Sequence, residues 1–262
     1  MKRAKTVDKL PKKLGKLPKK LGKEPLVEAL FDVRFKAKAP ASNILPGLVF
    51  TKFEGEKRVE KLPMAELPVP LLAHIDPNIR YAPAIRIHWG NFIILSGNQS
   101  AGLACKLPYP GWTAGFKPSI LKLAQLIGEA AIVDVVERFS LKYTNIVPSE
   151  LGVAPVVVDF ALKIGAHDVA GNLFQIRVEI PKDNLISIVQ IAAEGSATFP
   201  DGTSRKGVAS DIDSVAMVGE TPFSEFLSGL ADRLETVHQE AKSIFFGCLK
   251  PEALAKLEPT YD

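Results

Sequence analysis

The stretch Arg138–Pro148, RFSLKYTNIVP, alternates with a period of two. Phe139, Leu141 and Tyr143 fall on one side, and Arg138, Ser140, Lys142 and Thr144 on the other. An extended chain sends successive side chains to opposite faces, so this is a half-buried strand in the middle of the sequence. A fold containing it must supply neighbouring strands for its backbone and an apolar layer for one of its faces. The same pattern occurs in PLVEALFDVRF at 25–35. There Val27, Ala29, Phe31, Val33 and Phe35 share one face, and Glu28, Asp32 and Arg34 lie on the other.

Between these two stretches, Ser42–Phe53 predicts a short helix capped by Ser42, and five prolines from Pro63 to Pro83 predict irregular chain. Ile85, Ile87 and Trp89 alternate, Gly90-Asn91 turns the chain, and FIILS returns, which is a hairpin. His88 falls on the opposite strand face from Ile87 and Trp89. The Tyr109-Pro110-Gly111-Trp112 loop offers two aromatics, either to stack on a base or ligand or to plug the end of a core; plugging is favoured. Pro118 opens a helix with a broad apolar surface.

After the central strand, VVVDFALKI (156–164), LFQIRVEI (173–180), LISIVQIAA (185–193) and a segment around Ala209–Val218 read as strands joined by short turns. Short turns imply an antiparallel meander. The chain closes on a long amphipathic helix, with Thr221 as N-cap, Pro222 at its first position, and apolar residues from Phe223 to Cys248 at three- and four-residue spacing. The fold class is α+β: two sequential halves of mainly antiparallel sheet, each followed by a helix, with the C-terminal helix packed on a sheet. The expected divisions are a flexible basic arm over 1–23, an N-terminal half over 24–148 and a C-terminal half over 149–262, the halves forming two units or one continuous body.

Net charge is +4, but residues 1–23 hold ten Lys/Arg against Asp8, so the remainder is mildly acidic. The arm carries the exact repeat LPKKLGK, at 10–16 and 17–23. Lys12, Lys13, Lys16, Lys19, Lys20 and Lys23 make it an electrostatic contact for nucleic acid or an acidic partner; a poorly constrained terminal extension is the plainer reading. Cys105 and Cys248 read as free thiols in a reducing cytoplasm. No apolar run is long enough to span a membrane, and no apolar segment follows the basic N-terminus as in a secretory signal.

Several pieces together resemble a sporadically distributed prokaryotic protein family with no established biochemical activity: PLVEALFDVRF, YPGW at 109–112, RFSLKYTN at 138–145, DID at 211–213, and the closing helix with His238 and Phe245–Phe246. The LPKKLGK arm has no counterpart in that pattern. The resemblance brings no catalytic residues. Its patchy distribution implies accessory cargo such as phage-defence or toxin–antitoxin genes.

No cofactor fingerprint, nucleophile elbow, phosphate loop or metal motif is present, and His74, His88, His167 and His238 are scattered. Asp211 and Asp213 share a strand face and could hold a divalent cation with a third ligand such as Asp159 or Glu179; the alternative is a solvated face, or charges paired with Arg177 or Arg205. Arg138 and Lys142, with Asn145, could bind phosphate or an acidic chain. His238 reads as a hydrogen-bonded residue at the core edge. These readings lead to a non-enzymatic interaction protein (a subunit, adaptor or antitoxin-like partner) that contacts a protein partner and, through its arm, nucleic acid. A metal-dependent phosphodiester-acting enzyme using Asp211 and Asp213, and a direct nucleic-acid binder, are the alternatives.

Overall fold

The protein is described here from a computed structural model covering residues 16–66, 77–169, 171–199 and 201–261. A two-residue strand β1 (Lys20–Leu21) leads into the long strand β2 (Leu26–Ala37), helix α1 (Ala41–Lys52) and the meander β3 (Lys57–Lys61), β4 (Pro83–Trp89), β5 (Phe92–Gly97) and β6 (Ser100–Cys105). Helix α2 (Lys117–Glu129) and strand β7 (Val133–Pro148) follow. A connection containing the one-turn helix α3 (Ala154–Val157) and the small hairpin β8 (Lys163–Ile164) and β9 (His167–Asp168) enters a second meander. That meander is β10 (Gln175–Lys182), β11 (Leu185–Thr198) and β12 (Ser204–Pro222). Helices α4 (Phe223–Cys248) and α5 (Pro251–Lys256) and strand β13 (Pro259–Thr260) complete the chain.

One nine-stranded sheet carries both halves, in the order β10-β11-β12-β7-β2-β6-β5-β4-β3. Every pairing in it is antiparallel. The expected α+β architecture is present, and the two alternating stretches, β2 and β7, lie side by side at its centre. The topology repeats about them. Each leads through a helix-bearing connection into a meander whose last strand returns to pair with it, β6 on β2 and β12 on β7, and a helix follows. In this repeat of topology the second copy begins with β7 at Val133.

Helices α1, α2 and α4 cover one face. Ala29, Phe31, Val33 and Phe35 of β2, with Phe139 and Leu141 of β7, meet Leu45 and Val49 of α1, Ile120, Leu123 and Ile127 of α2, and Phe226, Leu230 and Leu234 of α4. The α4 stripe is long enough, at about 39 Å, to continue into a second cluster. There Ala241 and Phe246 pack with Ile191, Val208, Ile212 and Val157. Phe226 sits edge-on to Phe139 at 5.5 Å and is fully buried. Each such aromatic stabilises the fold by roughly 1.5–3 kcal/mol.

Four local expectations are corrected. Residues 156–164 form no continuous strand. Pro155 opens the single turn α3, Val157 and Val158 are buried, and strand pairing is confined to an isolated bridge from Val158 to Leu249 and to Lys163–Ile164. An unbroken apolar run has no period, so burial alone could not tell strand from helix. Helix α1 begins at Ala41, with Ser42 inside its first turn donating to Asn98 Oδ1 at 2.7 Å. Pro222, not Thr221, caps α4; the Thr221 hydroxyl turns back to the Val218 carbonyl. The arm is not free over its whole length. Lys20–Leu21 pairs with Pro259–Thr260, Leu21 is buried in the second cluster, and Lys23 bridges Glu258 at 2.9 Å. The second LPKKLGK copy is thus a clasp that ties the two ends of the chain together. The first copy, apart from its last residue Lys16, lies outside the described residues, and Lys12 and Lys13 with it.

Candidate functional site

The site is built on both faces of β7. On the face away from the helices, register sets Asp32 opposite Ser140, Arg34 opposite Arg138, Lys142 opposite Asp213 and Thr144 opposite Asp211. Lys142 Nζ lies 2.9 Å from Asp211 Oδ2, which also accepts from Thr144 Oγ1 at 3.3 Å. Asp32 Oδ2 receives Arg34 Nε at 3.4 Å and lies 3.9 Å from Arg138 Nη2. Tyr81 reaches in from the chain before β4. Its ring lies 4.7 Å from the Arg34 guanidinium, and its hydroxyl donates to Glu137 at 2.6 Å.

Three acids and three bases therefore compensate one another at the centre of the sheet. Burial pushes the Asp32 carboxyl up, against the pull of Arg34 and Arg138. Asp213 is likewise raised by burial, opposed by the Ser140 hydrogen bond and by Arg138 and Lys142. Burial and the like charge of Arg34 lower Arg138. At Lys142 burial favours the neutral amine, but the bond and charge of Asp211 outweigh it and hold the pKa above the ordinary lysine value. Arg138 Nε, Asp211 Oδ1 and Asp213 Oδ1 are buried with no hydrogen-bond partner among the described residues.

The structure thus joins two pairs that the sequence left apart, Arg138/Lys142 and Asp211/Asp213. It does not join the aspartates to the other residues named for them. Arg177 pairs with Glu179 at 2.7 Å on β10, Arg205 donates to the Glu24 and Leu26 carbonyls, and Asp159 lies beside the end of α4, its amide bonded to the Cys248 carbonyl. Among the described residues no three His, Cys, Asp or Glu side chains gather as a metal site. Asp211 meets a lysine where a cation would need a third carboxylate.

On the helix-covered face, the Tyr143 hydroxyl is hydrogen-bonded to His238 Nδ1 at 2.9 Å. The imidazole stacks on Trp112, with centroids 4.1 Å apart and planes 11° from parallel. Trp112 Nε1 donates to Glu235 Oε2 at 2.9 Å, and Lys117 and Gln239 also donate to Glu235, at 3.1 and 2.9 Å. YPGW does plug the core, as expected, and His238 is the hydrogen-bonded core-edge residue anticipated for it. Burial lowers His238 to about 4, so its ring is neutral near pH 7. Burial would raise Glu235, but the three donors outweigh it and hold the carboxyl at about 2. Burial alone lifts the Cys105 thiol to about 11, which keeps it protonated. Sequence reasoning missed Glu235 and Lys117. The available signal was the three-residue spacing of Glu235 and His238, which places both on one side of α4.

A second group missed by the sequence lies toward the β3 edge. His88 Nε2 is 3.0 Å from Glu60 Oε2 and 3.1 Å from Arg58 Nη2, and its Nδ1 is 3.1 Å from Lys106 Nζ. Arg58, His88 and Lys106, with Lys57 and Trp89, line an open cleft of about 460 Å³. His167 is exposed in the β8–β9 hairpin, and His74 lies outside the described residues. Cys105 and Cys248 are both free thiols, the first buried and the second half-buried. No helix among the described residues is long and apolar enough to cross a membrane.

The stretches singled out in the sequence meet in space. Asp32 and Arg34, Arg138 and Lys142, and Asp211 and Asp213 share one face of β2, β7 and β12, while Trp112, Tyr143 and His238 share the other. No protein-family model matches the chain, and no curated protein matches it at a significant level.

Proposed function

We propose that this chain is a non-enzymatic interaction protein, a subunit or adaptor that works by docking to another protein. One observation carries the reading. Seven of the eleven large apolar side chains exposed among the described residues fall in the single stretch from Val153 through α3 and the β8–β9 hairpin to Ile180 of β10, with Leu173 75% and Ile164 67% exposed. Val153 and Leu173 line one cleft, and exposed apolar side chains gathered in this way mark a docking surface. The compensated charges around β7 support the same reading, since each base there already has an acid nearby. The scattered distribution implied by the family resemblance favours a prokaryotic accessory system such as phage defence or a toxin–antitoxin pair, in a reducing cytoplasm suited to two free thiols. The lysines of the arm extend the proposal to an auxiliary contact with nucleic acid.

The test is affinity purification of the full chain from its native cell beside variants carrying Leu173→Glu or Ile164→Glu. A protein partner retained by the parent and lost with either variant supports the proposal. A specific nucleotide- or nucleic-acid-cleaving activity of the pure chain, abolished by Asp211→Asn, would sink it. Removing residues 1–15 separates the arm's role from the clasp: retention of nucleic acid should fall, with the protein partner kept.

A further inference from the structure

Strand β10 ends the nine-stranded sheet, pairing only with β11 among the described residues. The Ala193 amide donates to the Phe174 carbonyl at 3.0 Å, and Phe174 immediately precedes β10 in register. In an antiparallel pair the directly bonded residues alternate. The even-numbered residues 176, 178, 180 and 182 therefore spend their backbone groups on β11. Those of Gln175, Arg177 and Glu179 point outward, together with the carbonyl of Pro181.

We propose that β10 pairs antiparallel with β10 of a second copy about a two-fold axis at Val178. This rests on the interaction reading in taking the β10 end as a docking surface, and it names the occupant. The side chains select the register. With Val178 on the axis, Arg177 of each copy faces Glu179 of the other, as a directly bonded backbone pair. Centring on Arg177 would oppose two arginines, and centring on Glu179 two glutamates, and like charges directly opposite are unfavourable. The Val178 register also sets Ile176 against Ile180 and Val178 against itself on the helix side, where Val178 is 49% and Ile180 41% exposed in the single chain. Pro181, which has no N–H, falls opposite Gln175 at the margin, so it removes only one bond from each end of the ladder. The in-strand Arg177–Glu179 bridge is exposed on both sides, at 51% and 54%, and is exchanged for two bridges between copies. An isologous interface repeats every contact twice, so each charge counts twice.

The experiment is sedimentation equilibrium of the purified full chain from low micromolar to several hundred micromolar, with Arg177→Glu, Glu179→Arg and the double exchange. The parent should dimerise. Each single change creates two like-charge pairs and should weaken the dimer at least tenfold, while the double exchange should restore it to within a few-fold. Arg177→Pro removes an outward N–H without touching β11 and should also weaken it. Both charged side chains are exposed, and circular dichroism at matched temperature verifies that every variant is folded. A parent that stays monomeric throughout, or a dimer indifferent to the single exchanges, overturns the proposal. A monomer that still captures a protein partner through Leu173 or Ile164 overturns self-pairing and leaves the interaction reading standing. A charge-dependent dimer that captures no partner does the reverse.

Discussion

Replacing His238 by Gln should remove much of the protein's loss of stability in mild acid. The ring is half-buried between Trp112 and Tyr143, and its loss of water contact lowers it from the ordinary 6.5 to about 4. A base whose pKa is depressed by folding takes up its proton more readily in the unfolded chain. Its contribution is therefore present above the unfolded pKa and is lost as pH falls toward the folded one. Between pH 7 and 4.5 these two values give a loss of about 2.5 kcal/mol. Asp32 and Asp213, raised by burial, work in the opposite sense: they favour folding as pH falls, and that contribution is lost as pH rises through their folded values. The parent's total pH dependence thus mixes opposing parts. The difference between parent and His238→Gln isolates the histidine, because Gln keeps a hydrogen-bonding partner for Tyr143 and does not titrate. Urea unfolding of both proteins near pH 7 and near pH 4.5 measures it. The variant should start about 0.5–1.5 kcal/mol less stable, from lost stacking on Trp112, and should then lose about 2.5 kcal/mol less on acidification than the parent. An equal loss in both proteins would show that the ring is not held neutral by its surroundings, and the account of the Trp112–His238–Tyr143 cluster would fail.

Other consequences are open to similar measurement. Phe226→Ala empties a fully buried site against Phe139 and should cost about 3–5 kcal/mol in denaturant unfolding. Leu21→Ala should cost about 2–5 kcal/mol if the clasp folds with the body; an unchanged midpoint would mean that β1 and β13 pair without supporting the second cluster. Lys142→Met leaves Asp211 and Asp213 less compensated and should destabilise by about 1–3 kcal/mol, between the values for exposed and buried pairs. Adding Asp211→Asn should recover part of that loss, and no recovery would argue against their coupling. Millimolar Mg²⁺ or Mn²⁺ should leave the thermal midpoint unchanged, because Lys142 already neutralises Asp211. A clear upward shift would revive the divalent-cation reading.

The legibility of this chain followed the period of its side chains. Strands β2, β4 and β7 each have one apolar face and one mainly polar face, so alternation marked them directly, and β5 followed as the return strand after the Gly90-Asn91 turn. Helix α4 has a stripe at helical spacing and was equally plain. The segment 156–164 failed because Val156, Val157 and Val158 form an apolar run without alternation, and its conformation is settled by Pro155 and by packing against the end of α4. The clasp failed for a different reason. A lysine-rich repeat with Pro and Gly looks unstructured when only local preference is weighed. It is ordered by backbone pairing to residues 259–260 at the opposite end of the chain, which no local pattern reveals.

The candidate site was half legible for the same physical cause. Alternation places Arg138 and Lys142 on one face of β7, and Asp211 and Asp213 on one face of β12. It does not supply the register that brings them together. Register comes from the whole sheet, because a slip of one residue between β7 and β12 would send Ile212 and Ala216 to the polar face and Asp213 toward α4. The buried partners of α4 make that slip prohibitive. The apolar side of β7 thereby fixes the electrostatics of its polar side. The charges at the sheet centre meet because Phe139, Leu141 and Tyr143 are held from behind by Phe226 and His238. On this argument the polar cluster should be sensitive to core changes on the far side of the strand. The β10 edge should not be, since its register depends on β11 and its outward groups are already exposed.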